Sequence, residues 1–232
     1  MINIRPSAER GHNDFGWLDT RYTFSFNNYF DHRFTGFSDL RVINEDLIAA
    51  GSGFPPHSHQ DMEILTYVIT GSLSHKDSLG NGTTIKSEEV QKMTAGTGVT
   101  HSEFSSDEER THLLQIWITP NQNGLIPNYE QRLVSTEMKL NRMCLIASGS
   151  DERETIKINQ DTQIFATVLE EGKQVDYQMK SDRRAWIQII SGQILINGVS
   201  LKAGDGAGII SEELVRIESV NKNSEFLFFD LR

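Results

Sequence analysis

The sequence predicts an all-β protein folded as two tandem barrels. Three observations carry that expectation. Short runs of β-branched and aromatic residues recur between glycine, asparagine and proline turns, the punctuation of a barrel or sandwich. A glycine-anchored stretch repeats: Leu65-Thr66-Tyr67-Val68-Ile69-Thr70-Gly71-Ser72-Leu73 is answered by Trp186-Ile187-Gln188-Ile189-Ile190-Ser191-Gly192-Gln193-Ile194, an offset of 121 in a chain of 232 residues. Residues 121–141 interrupt the strand pattern. The expected division is therefore a first barrel over 1–121, a connecting segment over 122–141 and a second barrel over 142–232.

Taken in order, Tyr22–Phe26 alternates aromatic and small polar residues, the period of a half-buried strand. Leu40–Asn44 and Asp46–Ala50 read as two further strands parted by a turn at Asn44-Glu45. Gly51-Ser52-Gly53 lets the backbone turn, and Pro55-Pro56 excludes a helix interior. Met62–Thr70 is dense in β-formers, and Gly80-Asn81-Gly82 marks a turn. Val90–Met93 leads to Gly96-Thr97-Gly98, which permits a tight bend, and Thr111–Ile118 reads as a buried strand. Tyr129–Leu140 has room for a short helix. Strands are expected again at 143–147, 155–158, 163–169, 174–179, 185–190, 193–196 and 225–230.

Composition narrows the function. Net charge is −10 and no Lys/Arg-dense block occurs, so direct nucleic-acid binding and an anionic membrane surface are not expected. The single Cys144 excludes an internal disulfide and fits a reducing compartment. No apolar leader or run of about 18 apolar residues is present, so a cytoplasmic protein is expected.

The chemistry-bearing residues cluster in the first half. His57 and His59 stand two apart, as do His101 and Glu103. On a strand, residues i and i+2 project to one side. Two such pairs on neighbouring strands would bring three imidazoles and one carboxylate to a point, a ligand set for a borderline divalent ion. No histidine follows His112, and at the repeat offset His57 and His59 fall on Gln178 and Lys180. A lysine repels a cation. The metal site is therefore expected in the first barrel only.

These residues resemble a known family. Gly51-x5-His57-x-His59-x3-Glu63 is similar to the first cupin motif, and Gly98-x2-His101 to the end of the second. With Arg10-Gly11-His12, Tyr22–Phe26, Gly36-Phe37 and Met93–Glu103, the sequence resembles the pirin family of two-barrel cupins, especially its bacterial quercetin 2,3-dioxygenase-type members. The resemblance covers most of the first half and the second half loosely. It implies a mononuclear metal site of His57, His59, His101 and Glu103; Glu103, on loosening from the metal, is also expected to serve as the catalytic base. Pirin-like proteins use this glutamate rather than Glu63, which is left as a group behind the ligands. Gly96 stands where the second motif usually has proline. His112 is read as a strand histidine, and His12, His32 and His75 are given no metal role.

The implied activity is a dioxygenase that opens the heterocyclic ring of a flavonol with O₂ and releases carbon monoxide. Iron is expected first, with nickel, manganese, cobalt, copper and zinc open. The expected partners are the flavonol-like substrate and O₂, and the chain is expected to be a monomer. The rival readings are a redox-sensing regulatory protein that binds metal without turnover, and another cupin activity such as isomerisation.

Overall fold

The computed structural model describes residues 1–150, 154–220 and 222–232. The chain opens with β1 (Ile2–Arg5), followed by β2 (Gly11–Asp14), β3 (Leu18–Tyr22), β4 (Leu40–Ile48), β5 (Gly53–His59) and β6 (Glu63–Thr70). Next come β7 (Ser72–Asp77), β8 (Gly82–Lys86), β9 (Glu89–Thr94), β10 (Val99–Ser105), β11 (Thr111–Ile118) and β12 (Asn128–Leu133). A four-residue helix, α1 (Thr136–Lys139), precedes β13 (Cys144–Ser148), β14 (Ile156–Lys157), β15 (Gln163–Leu169), β16 (Gln174–Gln178) and β17 (Arg184–Ser191). The chain ends through β18 (Gln193–Ile196), β19 (Val199–Lys202), β20 (Gly206–Ile210), β21 (Leu214–Ser219) and β22 (Ser224–Leu231).

Two compact units result, Gly11–Leu133 and Met1–Arg10 with Val134–Arg232. In the first, a seven-stranded sheet ordered β12-β9-β6-β11-β4-β3-β2 faces a four-stranded sheet ordered β5-β10-β7-β8. Leu18, Ile48, Val68 and Leu113 of the larger sheet pack with Leu73 and Ile85 of the smaller. The second unit repeats the plan, with sheets ordered β1-β20-β17-β22-β15-β13-β14 and β16-β21-β18-β19. One apolar cluster, including Ile187, Phe226 and Phe228 from the larger sheet and Ile194, Val215 and Ile217 from the smaller, fills its interior. Each unit is thus a cupin barrel.

Several boundaries differ from expectation, each for a local reason. Met1–Arg10 belongs to the second unit because β1 pairs with β20. Residues 128–133, expected in a connector or helix, form β12 and pair with β9 of the first unit; only Thr136–Lys139 is helical. The strand expected over Tyr22–Phe26 lies earlier, ending at Tyr22. No turn breaks Asn44-Glu45. β4 runs unbroken for nine residues, because Asn44 and Asp46 continue its alternation toward a polar interior where Thr20 donates to Asp46. β19, β20 and β21 were not foreseen.

Candidate metal centre

The site is built on the facing edges of β5 and β10. β5 ends its sheet, which is where a strand tolerates prolines that cannot donate to a ladder. Phe54 lies opposite Glu103 and His57 opposite His101, so Pro55 and Pro56 together face Ser102 alone. This is a β-bulge. It adds one residue to β5 and re-aims the side chains beyond it, so that Phe54, His57 and His59 all line the interior. Close approach of the strands there requires Gly53, since a Cβ would collide with the Glu103 carbonyl oxygen. On β10, strict alternation buries His101, Glu103 and Ser105 and leaves Thr100 and Phe104 outside. Gly96, at the usual proline position, has φ +45°, a backbone angle proline cannot adopt.

One ring nitrogen from each of His57, His59 and His101 lies within 4.8 Å of the other two. The ring centroids are 4.4 Å (His57–His101), 4.8 Å (His57–His59) and 5.0 Å (His59–His101) apart. His57 Nδ1 lies 2.9 Å from the Pro55 carbonyl oxygen, which can only accept, so Nδ1 carries a hydrogen. His101 Nε2 is buried and has no hydrogen-bond partner among the described residues. Burial, followed by the neighbouring imidazoles, lowers the pKa of His59 to about 4 and that of His101 to about 3. Both rings are therefore neutral at pH 7, the form that ligates a metal. The edge of Trp117 packs on the His59 ring at 4.9 Å.

Glu103 adjoins this trio through His101. A carboxylate oxygen lies within 4.8 Å of ring nitrogens of both His101 and His75. Gln115 Nε2 donates to its two oxygens at 3.2 and 3.4 Å, and Thr66 Oγ1 at 3.5 Å. Burial pushes its pKa up to about 7, with the Asp46 charge adding to the rise and the Gln115 and Thr66 hydrogen bonds opposing it. Three imidazoles, of which His59 and His101 are neutral at pH 7 and His101 has a buried, unpartnered Nε2, fit a divalent transition-metal ion together with the buried carboxyl.

The other sequence candidates fall elsewhere. Glu63 is buried on β6, but Ile64 lines the cavity and Thr66 reaches Glu103, so Glu63 alternates away from both. His112 faces away from Gln115 and pairs with Glu45 at 3.0 Å. His12 pairs with Asp19 at 2.9 Å on the exposed surface. His75, given no role from the sequence, proves fully buried beside His101 and bonded to Asp77. Thr66 and Gln115 were also missed. Each is a polar residue inside an apolar strand, and that interruption is the signal that marks them.

A cavity of about 370 Å³ opens beside the site, within the size range of small-molecule pockets. Trp17, Phe26, Phe54 and Trp117 supply aromatic walls, and Asn44 and Asp46 a polar one. Trp17 meets Phe54, and Phe26 meets Trp117, edge to face at 5.3 Å.

Comparison with known proteins follows the same division. Residues 3–118 match the family model described as Pirin, and residues 145–231 match the quercetinase C-terminal cupin domain. A curated relative from Escherichia coli K12, named quercetin 2,3-dioxygenase, is 45% identical over 232 residues, covering 100% of this chain and 99% of the relative. The chain belongs to the pirin family. A pirin-like protein of Caulobacter vibrioides is 36% identical over 99% of both chains. Among solved pirins, Escherichia coli YhhW superposes with a TM-score of 0.96 at 45% identity, covering 100% of this chain and 98% of YhhW. YhhW in complex with nickel(II) superposes at 0.95, covering 100% and 99%.

Proposed function

We propose that this pirin is a metal-dependent dioxygenase acting on a flavonol-like substrate, with the ion held by His57, His59, His101 and Glu103. The observation that carries the reading is the convergence of three imidazoles beside a buried carboxyl, at the mouth of an aromatic cavity. The Escherichia coli relative's name and the nickel(II) complex of YhhW support the same chemistry. Nickel and iron both suit this donor set.

A bound divalent ion would act as a Lewis acid, favouring the deprotonated form of a hydroxyl that lies beside a carbonyl. The chain's own residues supply the rest. Trp17, Phe54 and Trp117 hold a flat aromatic ligand against the site by apolar contact. Glu103, on loosening from the ion, takes the hydroxyl proton; in the metal-free chain burial holds its pKa near 7, a value suited to a base at neutral pH. Gln115 and Thr66 keep that carboxyl aimed inward throughout. The outcome is ring opening by O₂ with release of carbon monoxide.

The test is aerobic incubation of metal-loaded protein with quercetin, following loss of flavonol absorbance, O₂ uptake and carbon monoxide. Turnover that disappears in His57→Ala and His101→Ala is the expected result. A metal-loaded protein that leaves quercetin intact overturns the assignment.

A further inference from the structure

The buried Asp77–His75 pair stands beside His101, but none of the chemistry above uses it. β7 pairs with β10 so that Asp77 lies opposite His101 and His75 opposite Glu103. Both side chains have 0% exposure, which is costly for an acid and an imidazole unless each is fully engaged. Asp77 is engaged on every side. Oδ1 accepts from Leu79 N at 2.9 Å and Asn81 N at 3.0 Å, and Oδ2 accepts from Asn81 Nδ2 at 2.8 Å. His75 Nε2 lies 3.1 Å from the same Oδ2. Surrounded by donors, Asp77 is a carboxylate and His75 Nε2 carries the hydrogen.

The remaining assignments follow from counting hydrogens. With Nε2 donating to Asp77, Nδ1 is the His75 nitrogen placed to accept. It sits 3.5 Å from His101 Nδ1, which must supply the hydrogen between them. His101 Nε2 is then bare, and that is the buried atom with no partner. The ring of Tyr129 lies 5.1 Å from that of His75 and holds it in place. In the second barrel the repeat offset places Ile196 and Gly198 at these two positions; where there is no imidazole to orient, the pair is absent.

We propose that Asp77 and His75 are positioning residues that fix the tautomer and ring plane of His101, presenting Nε2 to the ion. This rests on the reading of His101 as a metal ligand. It also explains why His75 is not one itself, since both of its nitrogens are committed. Outer partners of this kind typically change metal affinity by about 10–100-fold when removed.

The test has two arms. In uniformly ¹⁵N-labelled, metal-free protein, two-bond ¹H–¹⁵N correlation should show His101 protonated on Nδ1 and His75 on Nε2. Calorimetric titration with nickel(II) should show His75→Phe weaker than the unmodified chain by about 10–100-fold. His75→Gln, whose amide can donate to Asp77 and accept from His101, should recover most of the loss. His101 protonated on Nε2, or nickel(II) binding undiminished in His75→Phe, overturns this inference alone. An unmodified chain that takes up no nickel(II) overturns the metal reading as well. The tautomer arm needs no substitution and decides the matter even if His75→Phe fails to fold.

Discussion

The two barrels share one strand plan and differ in what fills it. β5 and β6 (Gly53–His59, Glu63–Thr70) align at an offset of 121 with β16 and β17 (Gln174–Gln178, Arg184–Ser191). The cross-strand registers then give each site residue its counterpart. His101 and Glu103, opposite His57 and Phe54, correspond to Val215 and Ile217, opposite Tyr177 and Val175. Thr66 and Gln115, opposite each other, correspond to Ile187 and Phe228. His101, Glu103, Thr66 and Gln115 all have apolar counterparts, which belong to one buried cluster, while Tyr177 packs against that cluster and donates its hydroxyl to Asp230. The first barrel gives up core packing to hold a site.

The bulge accounts for a misalignment in the sequence reading. A constant offset places His57 and His59 on Gln178 and Lys180, which are exposed. The extra residue at Pro55-Pro56 shifts the register by one, so the inward-facing counterparts are Tyr177 and Met179. The conclusion that the second barrel has no imidazole is unaffected, but its physical reason changes. The interior there is filled with hydrophobic side chains, and the lysine faces outward.

The comparison breaks first if metal uptake does not depend on the first barrel. Removing a proposed ligand, in His57→Ala or His101→Ala, should lower nickel(II) affinity by more than about 100-fold, beyond the effect of outer partners, measured by competition with a chelator. The next effect is on pH. His59 and His101 are already neutral well below pH 6 and release no proton near neutrality, whereas Glu103, with a pKa of about 7, does. Nickel(II) affinity should climb about tenfold per unit up to pH 7 and then level off, and Glu103→Gln should flatten that slope.

The same group gives the metal-free protein a stability signature. Glu103 titrates higher in the fold (about 7) than when unfolded (4.5), so the native state holds the extra proton between those values. Its contribution is complete below pH 4.5 and is lost as pH rises through 7. Urea midpoints of the wild-type chain should therefore fall relative to Glu103→Gln over that window. The histidines, with lowered values, act in the opposite sense in both proteins and cancel in the difference.

Making the first barrel more like the second should have a smaller effect. Gln115→Leu removes a donor to Glu103 and should weaken nickel(II) binding by about tenfold. The smallest effect tests the bulge. Gln178→His with Lys180→His puts two imidazoles on the exposed side of β16 and just beyond it. It should add no second ion and change stability by no more than about 0.5 kcal/mol.

The sequence showed the four candidate residues because their spacing matches a strand's period of two, a local property. It showed the two-barrel plan because Gly71 and Gly192 both need positive φ, 79° and 78°, to end equivalent strands. His75 and Gln115 were hidden because their roles depend on strand pairing: one meets His101 from β7, the other reaches Glu103 from the opposite sheet. Residues 1–10 were assigned to the wrong barrel for the same reason, since nothing in Ile2–Arg5 names its distant partner Gly206–Ile210.

The most direct measurement is anomalous scattering from crystals of the nickel(II)-loaded chain, with metal content determined on the same sample. The expected result is one ion per chain, bonded to His57, His59, His101 and Glu103, with the second barrel empty of metal. An ion bound elsewhere, or a carboxyl of Glu103 that stays out of its coordination, would contradict the account.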